Sequence, residues 1–176
     1  MNRERLIGVL MPGFPGTEIP EWMKKYLSNG LRSVALYGSN VENLDQLKNL
    51  IAEIRSYARK DLLVATDEEG GDVTRLEYST GSSFSGNRRL GTIDDSKRTA
   101  LEAQEIAKIC SYAGVNLNLA PVGDVNSNPL NPVIGNRSFG DNQDLVSKHL
   151  KPRVESHQSQ GVACTVKHFP GHGDTM

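Results

Sequence analysis

"LRSVALYGSNVENLDQLKNLIAEIRSYARKDLLVATDEEGG", residues 31–71, decides the fold class. Two short apolar runs, "LRSVALYG" (31–38) and "DLLVATDEEGG" (61–71), flank a longer stretch, "NVENLDQLKNLIAEIRSYARK" (40–60). In that stretch Leu44, Leu47, Leu50, Ile51, Ile54 and Tyr57 fall on one helical stripe, with Asn40 as the expected cap. The flanking runs have the length of buried strands, and the second breaks at its glycines. Strand, helix and strand in this order call for parallel pairing through a right-handed crossover.

The same alternation extends in both directions. "RLIGVLMPG" (5–13) is expected as a strand, and "TEIPEWMKKYLSNG" (17–30) as a helix with Trp22, Tyr26 and Leu27 at helical spacing and Gly30 as its stop. After the polar connection "STGSSFSGNRRLG" (79–91), residues 94–113 are expected as a helix with an apolar stripe of Ala103, Ile106, Ala107 and Cys110. "GVNLNLAPVGD" (114–124) reads as a strand, residues 141–160 as a helix and "GVACTVKHF" (161–169) as a strand. The class is therefore α/β with about five parallel strands and four helices. Two architectures fit: an open doubly wound sheet, or the first part of an eight-stranded barrel, which takes about 250 residues when complete. No G-x-G-x-x-G follows the first strand, so a dinucleotide-binding sheet loses its main support.

Composition narrows the function. Twenty Lys and Arg against 21 Asp and Glu give a net charge of -1, which offers no broad field for nucleic acid or an anionic membrane. A small-molecule partner is the expectation. The apolar N-terminal run "LIGVLM" stops at Pro12, and no stretch approaches the roughly 20 apolar residues that span a bilayer. Cys110 and Cys164 form no C-x-x-C pair and are expected as core residues of a cytoplasmic protein.

The costly polar residues follow the ends of the apolar runs. Asp67, Glu68 and Glu69 follow "LLVAT", Asp124 follows "LNLAPVG", and Lys167 and His168 follow "VACTV". In both parallel architectures that edge carries the site, so these groups are expected to share a cleft. Arg75 lies eight residues beyond Asp67, past two glycines that let the chain bend, and Asp with Arg offers acceptor and donor to a hydroxyl-rich ligand. Arg137 sits between two glycines in the loop "NSNPLNPVIGNRSFG" (126–140), where pairing with a carboxylate is the plain structural expectation. His149 and His157 lie among Lys, Gln and Ser and are expected in solvent. "KHFPGHGD" (167–174) leaves two functional readings open. His168, His172 and Asp174 could ligate a hydrolytic zinc, although Pro and Gly break the regular helix that H-E-x-x-H needs. Alternatively Lys167 and His168 bond sugar hydroxyls.

Taken in order, "DEEGGDVTRL", "LAPVGDVN", "NPVIGNRSFG" and "KHFPGHGDT" resemble the N-terminal barrel of glycoside hydrolase family 3, in its β-N-acetylglucosaminidase branch. The resemblance covers essentially the whole chain and implies that residues 1–176 are the N-terminal portion of a catalytic (β/α)8 barrel. It implies hydrolysis of terminal β-linked N-acetylglucosamine with retention, in cytoplasmic cell-wall recycling, without cofactor or metal. By motif position it assigns Asp67, Arg75, Arg137, Lys167 and His168 to sugar binding. The family's acid/base His, in an Asp-Ser-His element, and its nucleophilic Asp are expected beyond Met176. A retaining glycosidase needs those two groups about 5 Å apart. The chain is thus expected to be a fragment, inactive alone and prone to self-association through unpaired barrel edges. The alternatives are a sugar-binding half-barrel without chemistry and a β-glucosidase-type member.

Overall fold

A computed structural model describes residues 6–58 and 61–176. Strand β1 (Ser33–Ala35) is followed by helix α2 (Leu44–Tyr57) and strand β2 (Leu63–Thr66). Ahead of them lies α1 (Glu21–Ser28); after them come α3 (Asn87–Ile93), α4 (Ser96–Ala113), β3 (Leu117–Asn118), α5 (Gln143–Ser159) and β4 (Ala163–Cys164). The described strands form one parallel sheet in the order β1-β2-β3-β4, with Val34 opposite Val64, Ala65 opposite Leu117 and Leu117 opposite Ala163. A doubly wound sheet reverses its order at a switch point, whereas this one advances in a single direction as a barrel wall does.

The main core lies where α1, α2 and α4 meet the sheet. Met23, Leu27, Leu47, Ile51, Ile54, Val34, Val64, Ile106 and Cys110 are all essentially sealed there. Each large aliphatic side chain so buried stabilises the fold by about 2 kcal/mol. A smaller cluster of Leu90, Phe139 and Val146 joins α3, the loop before α5, and α5.

The rim at the N-terminal ends of the strands is closed by side-chain bonds. Arg55, from the last turn of α2, donates to the Leu62 carbonyl at 3.1 Å and the Gly114 carbonyl at 3.0 Å. Asn116 accepts from the Val64 amide at 2.7 Å and donates to the Leu62 carbonyl at 3.0 Å. These bonds satisfy backbone groups at the entry to β2 and β3, ahead of the Ala65–Leu117 pair with which those two strands come together.

Several expectations need correction. The run 5–13 is not a buried strand: Leu6 and Ile7 are helical, Val9 is 80% exposed and Leu10 52%. Residue 5 lies outside the described residues. The segment still runs beside β1, since the Ala35 amide donates to the Pro12 carbonyl and Ser33 Oγ to the Leu10 carbonyl. Pro12 has no amide to return, so no ladder develops. The first helix starts after Pro20, and its buried face carries Met23 and Leu27, with Trp22 and Tyr26 largely exposed. Asn43, not Asn40, caps α2, its side chain accepting from the Gln46 amide. Asn40 is buried and bonds the Phe14 and Gly16 carbonyls.

His149 and His157 are fully buried, not solvated. With Val146 and Arg153 they form the inner stripe of α5. His149 meets Thr99 Oγ1 at 2.7 Å and stacks on Phe139, while His157 meets Asn118.

Candidate functional site

The site assembles from loops that leave the C-terminal ends of β2, β3 and β4. After Thr66 the chain passes Asp67, Glu68 and Glu69 and turns back at Gly70 and Gly71, whose φ values of +79° and +63° suit residues without a Cβ. The turn is pinned by the Glu69 amide donating to the Val73 carbonyl at 3.0 Å. It sends adjacent carboxylates in different directions. Glu68 points into the protein, where one oxygen accepts from Thr74 Oγ1 and the Arg75 and Leu76 amides. Glu69 points into the cleft.

Two buried carboxylates hold the cleft together. Glu69, 2% exposed at its side chain, accepts a two-pronged bond from Arg137, Nε at 2.9 Å and Nη2 at 2.8 Å, and an ion pair from Lys167 Nζ at 2.7 Å. This fork geometry is the strong form of an Arg–carboxylate pair. Asp124, 1% exposed at its side chain, accepts from His168 Nδ1 at 2.6 Å and from the His172 amide at 2.7 Å. Lys167 Nζ also reaches Asp67 Oδ1 at 2.6 Å, and Arg137 Nη2 lies 3.2 Å from His168 Nε2. An arginine only donates, so His168 Nε2 is the acceptor in this arrangement and Nδ1 carries the proton toward Asp124.

Exposure divides these groups into two sets. The side chains of Asp67, Arg137, Lys167 and His168 retain 21%, 19%, 13% and 31% exposure and can reach a ligand. Glu69 and Asp124 cannot, and serve to aim the other four. Burial alone pushes the Glu69 carboxyl up, but the bonds and charges of Arg137 and Lys167 outweigh it and hold it below the usual carboxylate range. Bonds to Glu69 in turn push the Arg137 guanidinium up from its ordinary value. Reachable acceptors on Asp67 and His168 and donors on Arg137 and Lys167, gathered at one strand edge, suit a ring bearing several hydroxyls, which both donate and accept.

Residues 3–176 match the glycosyl hydrolase family 3 N terminal domain. The chain belongs to that family. It is 38% identical over 167 residues to β-hexosaminidase A of Pseudoalteromonas piscicida, covering 90% of this chain and 27% of that protein. Among solved structures it superposes on a family 3 β-N-acetylglucosaminidase from Paenibacillus sp. str. FPU-7 with a TM-score of 0.92 at 37% identity, over 99% of this chain and 34% of that one. NagZ from Neisseria gonorrhoeae, solved with N-trifluoroacetyl-D-glucosamine, gives a TM-score of 0.85 at 30% identity, over 95% of this chain and 52% of its own. The chain thus spans between about a quarter and a half of these relatives' lengths. The family 3 likeness makes the sheet the N-terminal part of a (β/α)8 barrel, with four parallel strands described where about five were expected.

Of the residues that sequence assigned to sugar binding, four converge in this family 3 cleft: Asp67, Arg137, Lys167 and His168. Arg75 does not join their network. Among the described residues its guanidinium forms no hydrogen bond or ion pair, and its Nε is buried without a partner. Glu69 and Asp124, expected in the cleft by their place after apolar runs, prove to be its two anchors, a role that sequence did not assign to either. Nothing in "DEEGG" distinguishes Glu69 from its neighbours.

The zinc reading is not supported. His172 Nδ1 engages Thr175 Oγ1 at 2.5 Å, His168 engages Asp124, and no three His, Cys, Asp or Glu side chains gather to hold a metal ion among the described residues. Neither cysteine is poised as a nucleophile. Burial pushes the Cys110 thiol well up, and it pushes Cys164 up to about 11 against the opposing charge of Arg153. No described helix is long and apolar enough to cross a membrane.

Proposed function

We propose that this chain supplies the sugar-binding side of a β-N-acetylglucosaminidase barrel, with Asp67, Arg137, Lys167 and His168 bonding the hydroxyls of a terminal β-linked N-acetylglucosamine. Arg75 belongs to the same set by motif position and comes into contact when a ring occupies the cleft. The observation that carries this reading is the pair of buried carboxylates, Glu69 and Asp124, fixing four reachable polar groups on one strand edge. The names of the relatives support the N-acetyl sugar. Residues 1–176 are then the N-terminal portion of the catalytic barrel, and the acid/base and nucleophile of a retaining mechanism come from chain beyond Met176. Two cysteines without a pairing pattern support a cytoplasmic setting.

The polar groups of the cleft satisfy one another, so binding is an exchange. A hydroxyl that donates to Asp67 and accepts from Lys167 replaces their mutual bond with two of its own. Such exchange favours a ligand with hydroxyls at matching spacing and gives little to one that lacks them.

The test is titration of N-acetylglucosamine while following thermal unfolding, with glucose as the control. A midpoint that rises with N-acetylglucosamine, and stops responding in Arg137→Ala and His168→Ala, supports the reading. A response that survives both substitutions defeats it. Release of p-nitrophenol from an N-acetylglucosaminide by residues 1–176 alone, at an ordinary enzymatic rate, would overturn the assignment of the catalytic pair to later chain.

A further inference from the structure

Arg153, on the inner stripe of α5, is 1% exposed, yet its guanidinium is poorly matched to its surroundings. Nη2 donates to the Glu69 carbonyl and Nη1 stands 3.9 Å from Glu102 Oε1, but neither Nη1 nor Nε has a hydrogen-bond partner among the described residues. Glu102 is itself occupied by the Ser85 and Gly86 amides, at 3.0 and 3.3 Å. Burying a charge with so few partners is costly, and a Leu or Met would fill an inner stripe without that cost. What distinguishes this arginine is where its one hydrogen bond goes. Glu69 holds Arg137 and Lys167 by its carboxylate, and Arg153 holds Glu69 by its carbonyl. The residue before it is gripped in the same way: Asn118 of β3 accepts from the Glu68 amide at 3.0 Å and donates to the Glu68 carbonyl at 2.8 Å. His157 joins the two grips, with Nε2 3.0 Å from Asn118 Nδ2 and Nδ1 2.9 Å from the Arg153 carbonyl. The carbonyls of two successive residues are thus fixed from the protein interior, directly beneath the cleft.

We propose that Arg153 is a positioning residue of the cleft, which fixes the Glu69 backbone so that the Glu69 carboxylate holds Arg137 and Lys167 where a sugar can meet them. The proposal rests on the sugar-binding reading for the ligand, but not for the link from Arg153 to Arg137. Only a few side-chain torsions separate the Glu69 carbonyl from its carboxylate, so a shift of the one moves the other. A binding group serves a ligand when its supporting residues leave it a single place to stand, and the two-pronged bond from Arg137 follows Glu69 wherever it goes. Arg153 touches no group that reaches the ligand. It acts through Glu69 alone.

The experiment compares Arg153→Met with the unaltered full-length protein, well below the melting midpoint of either. Two quantities are read: the affinity for N-acetylglucosamine, and the NMR resonance of the Arg137 Nε–H, which its bond to Glu69 fixes and which Arg137→Lys identifies by its disappearance. Ile54→Val, a loss from the sealed main core, is the control for destabilisation without a change beneath the cleft. Arg153→Met should weaken the affinity about tenfold, the equivalent of one hydrogen bond to the sugar, and displace the resonance. Ile54→Val should lower the melting temperature and leave both in place. An affinity or a resonance that Arg153→Met leaves unchanged, or that Ile54→Val moves as far, overturns the proposal. If the unaltered protein does not bind N-acetylglucosamine, the sugar reading fails and the resonance alone decides: displaced by Arg153→Met but not by Ile54→Val, it upholds the link to Arg137, and otherwise the link is refuted. If Arg153→Met does not fold, Arg153→Lys takes its place, with a displaced resonance in favour and an unmoved one against.

Discussion

Glu68 and Glu69 are neighbours in sequence with opposite electrostatic fates. Burial raises the Glu68 carboxyl above its ordinary range, and bonds from Leu76, Arg75 and Thr74 only partly oppose that. Its second oxygen is buried without a partner among the described residues. Glu68 therefore favours the fold below the ordinary carboxylate pKa, and that contribution is lost as pH rises through its raised value. In Glu68→Gln the amide oxygen can keep the three bonds, while the amide nitrogen replaces the orphaned oxygen without a charge. Melting at pH 7 should stay level or rise by roughly 2–4 °C, about 1 kcal/mol at this chain length. A clear drop would mean that the charge stabilises the fold.

His157 works in the opposite direction. Burial, followed by the charge of Arg153, lowers its pKa from 6.5 to about 4. Its ring fits the neutral form, with Nδ1 against the Arg153 carbonyl at 2.9 Å and Nε2 against Asn118 Nδ2 at 3.0 Å. A depressed pKa contributes stability that is complete above 6.5 and is lost as pH falls toward 4, at most roughly 3 kcal/mol. Urea unfolding at a series of pH values should show this slope, and His157→Gln should flatten it. An unchanged slope would assign the acid sensitivity elsewhere. At this scale Lys167 and His168 were legible because they directly follow an apolar run. His157 was not, because the inner stripe of α5 is filled with His149, Arg153 and His157, and its polar partners Asn118 and Thr99 lie far away in sequence.

Among the elements, α3 has the largest consequence for its length. It comprises seven residues with a glycine inside, and nothing in "STGSSFSGNRRLG" distinguished it from a loop. Packing makes it a helix: Leu90 is buried against Phe139 and Val146, and Asn87 Nδ2 donates to the Arg137 carbonyl at 2.8 Å. A Cβ on Gly91 would stand 1.8 Å from the Phe139 carbonyl oxygen. Gly91→Ala must push α3 away from the turn that carries Arg137. It should destabilise the protein by about 3 kcal/mol and weaken sugar binding, whereas Asn87→Ala should cost only about 1 kcal/mol. Equal melting temperatures for Gly91→Ala and the unaltered protein would refute the contact. The long helices were readable from apolar spacing, since the stripe of α2 is the face that it buries. The strands were readable as apolar runs but not in extent: Pro121 has no amide, β3 pairs only at Leu117–Asn118, and bridging resumes at Val122 opposite Lys167.

Across the whole molecule the sheet ends at β1 and β4, each with one strand neighbour among the described residues. Near β4, Val166 is 49% exposed and Phe169 98%. An open strand beside exposed apolar groups invites pairing with another chain. Residues 1–176 alone should therefore sediment with a concentration-dependent mass, and Val166→Lys should reduce the association. A monomer across the concentration range would count against it. The parallel class and the site edge were both visible in the order of the apolar runs. The choice between barrel and open sheet was not visible in that order, because it depends on which strands lie side by side; it came from the resemblance of the four motifs to family 3.

The staples from Arg55 and Asn116 close the rim opposite the cleft and take no part in it. That separation makes the lower rim a handle. Asp61 is exposed there, just ahead of β2. A label, resin or electrode coupled at Asp61 would grip the protein from beneath and leave its mouth turned toward the bulk liquid.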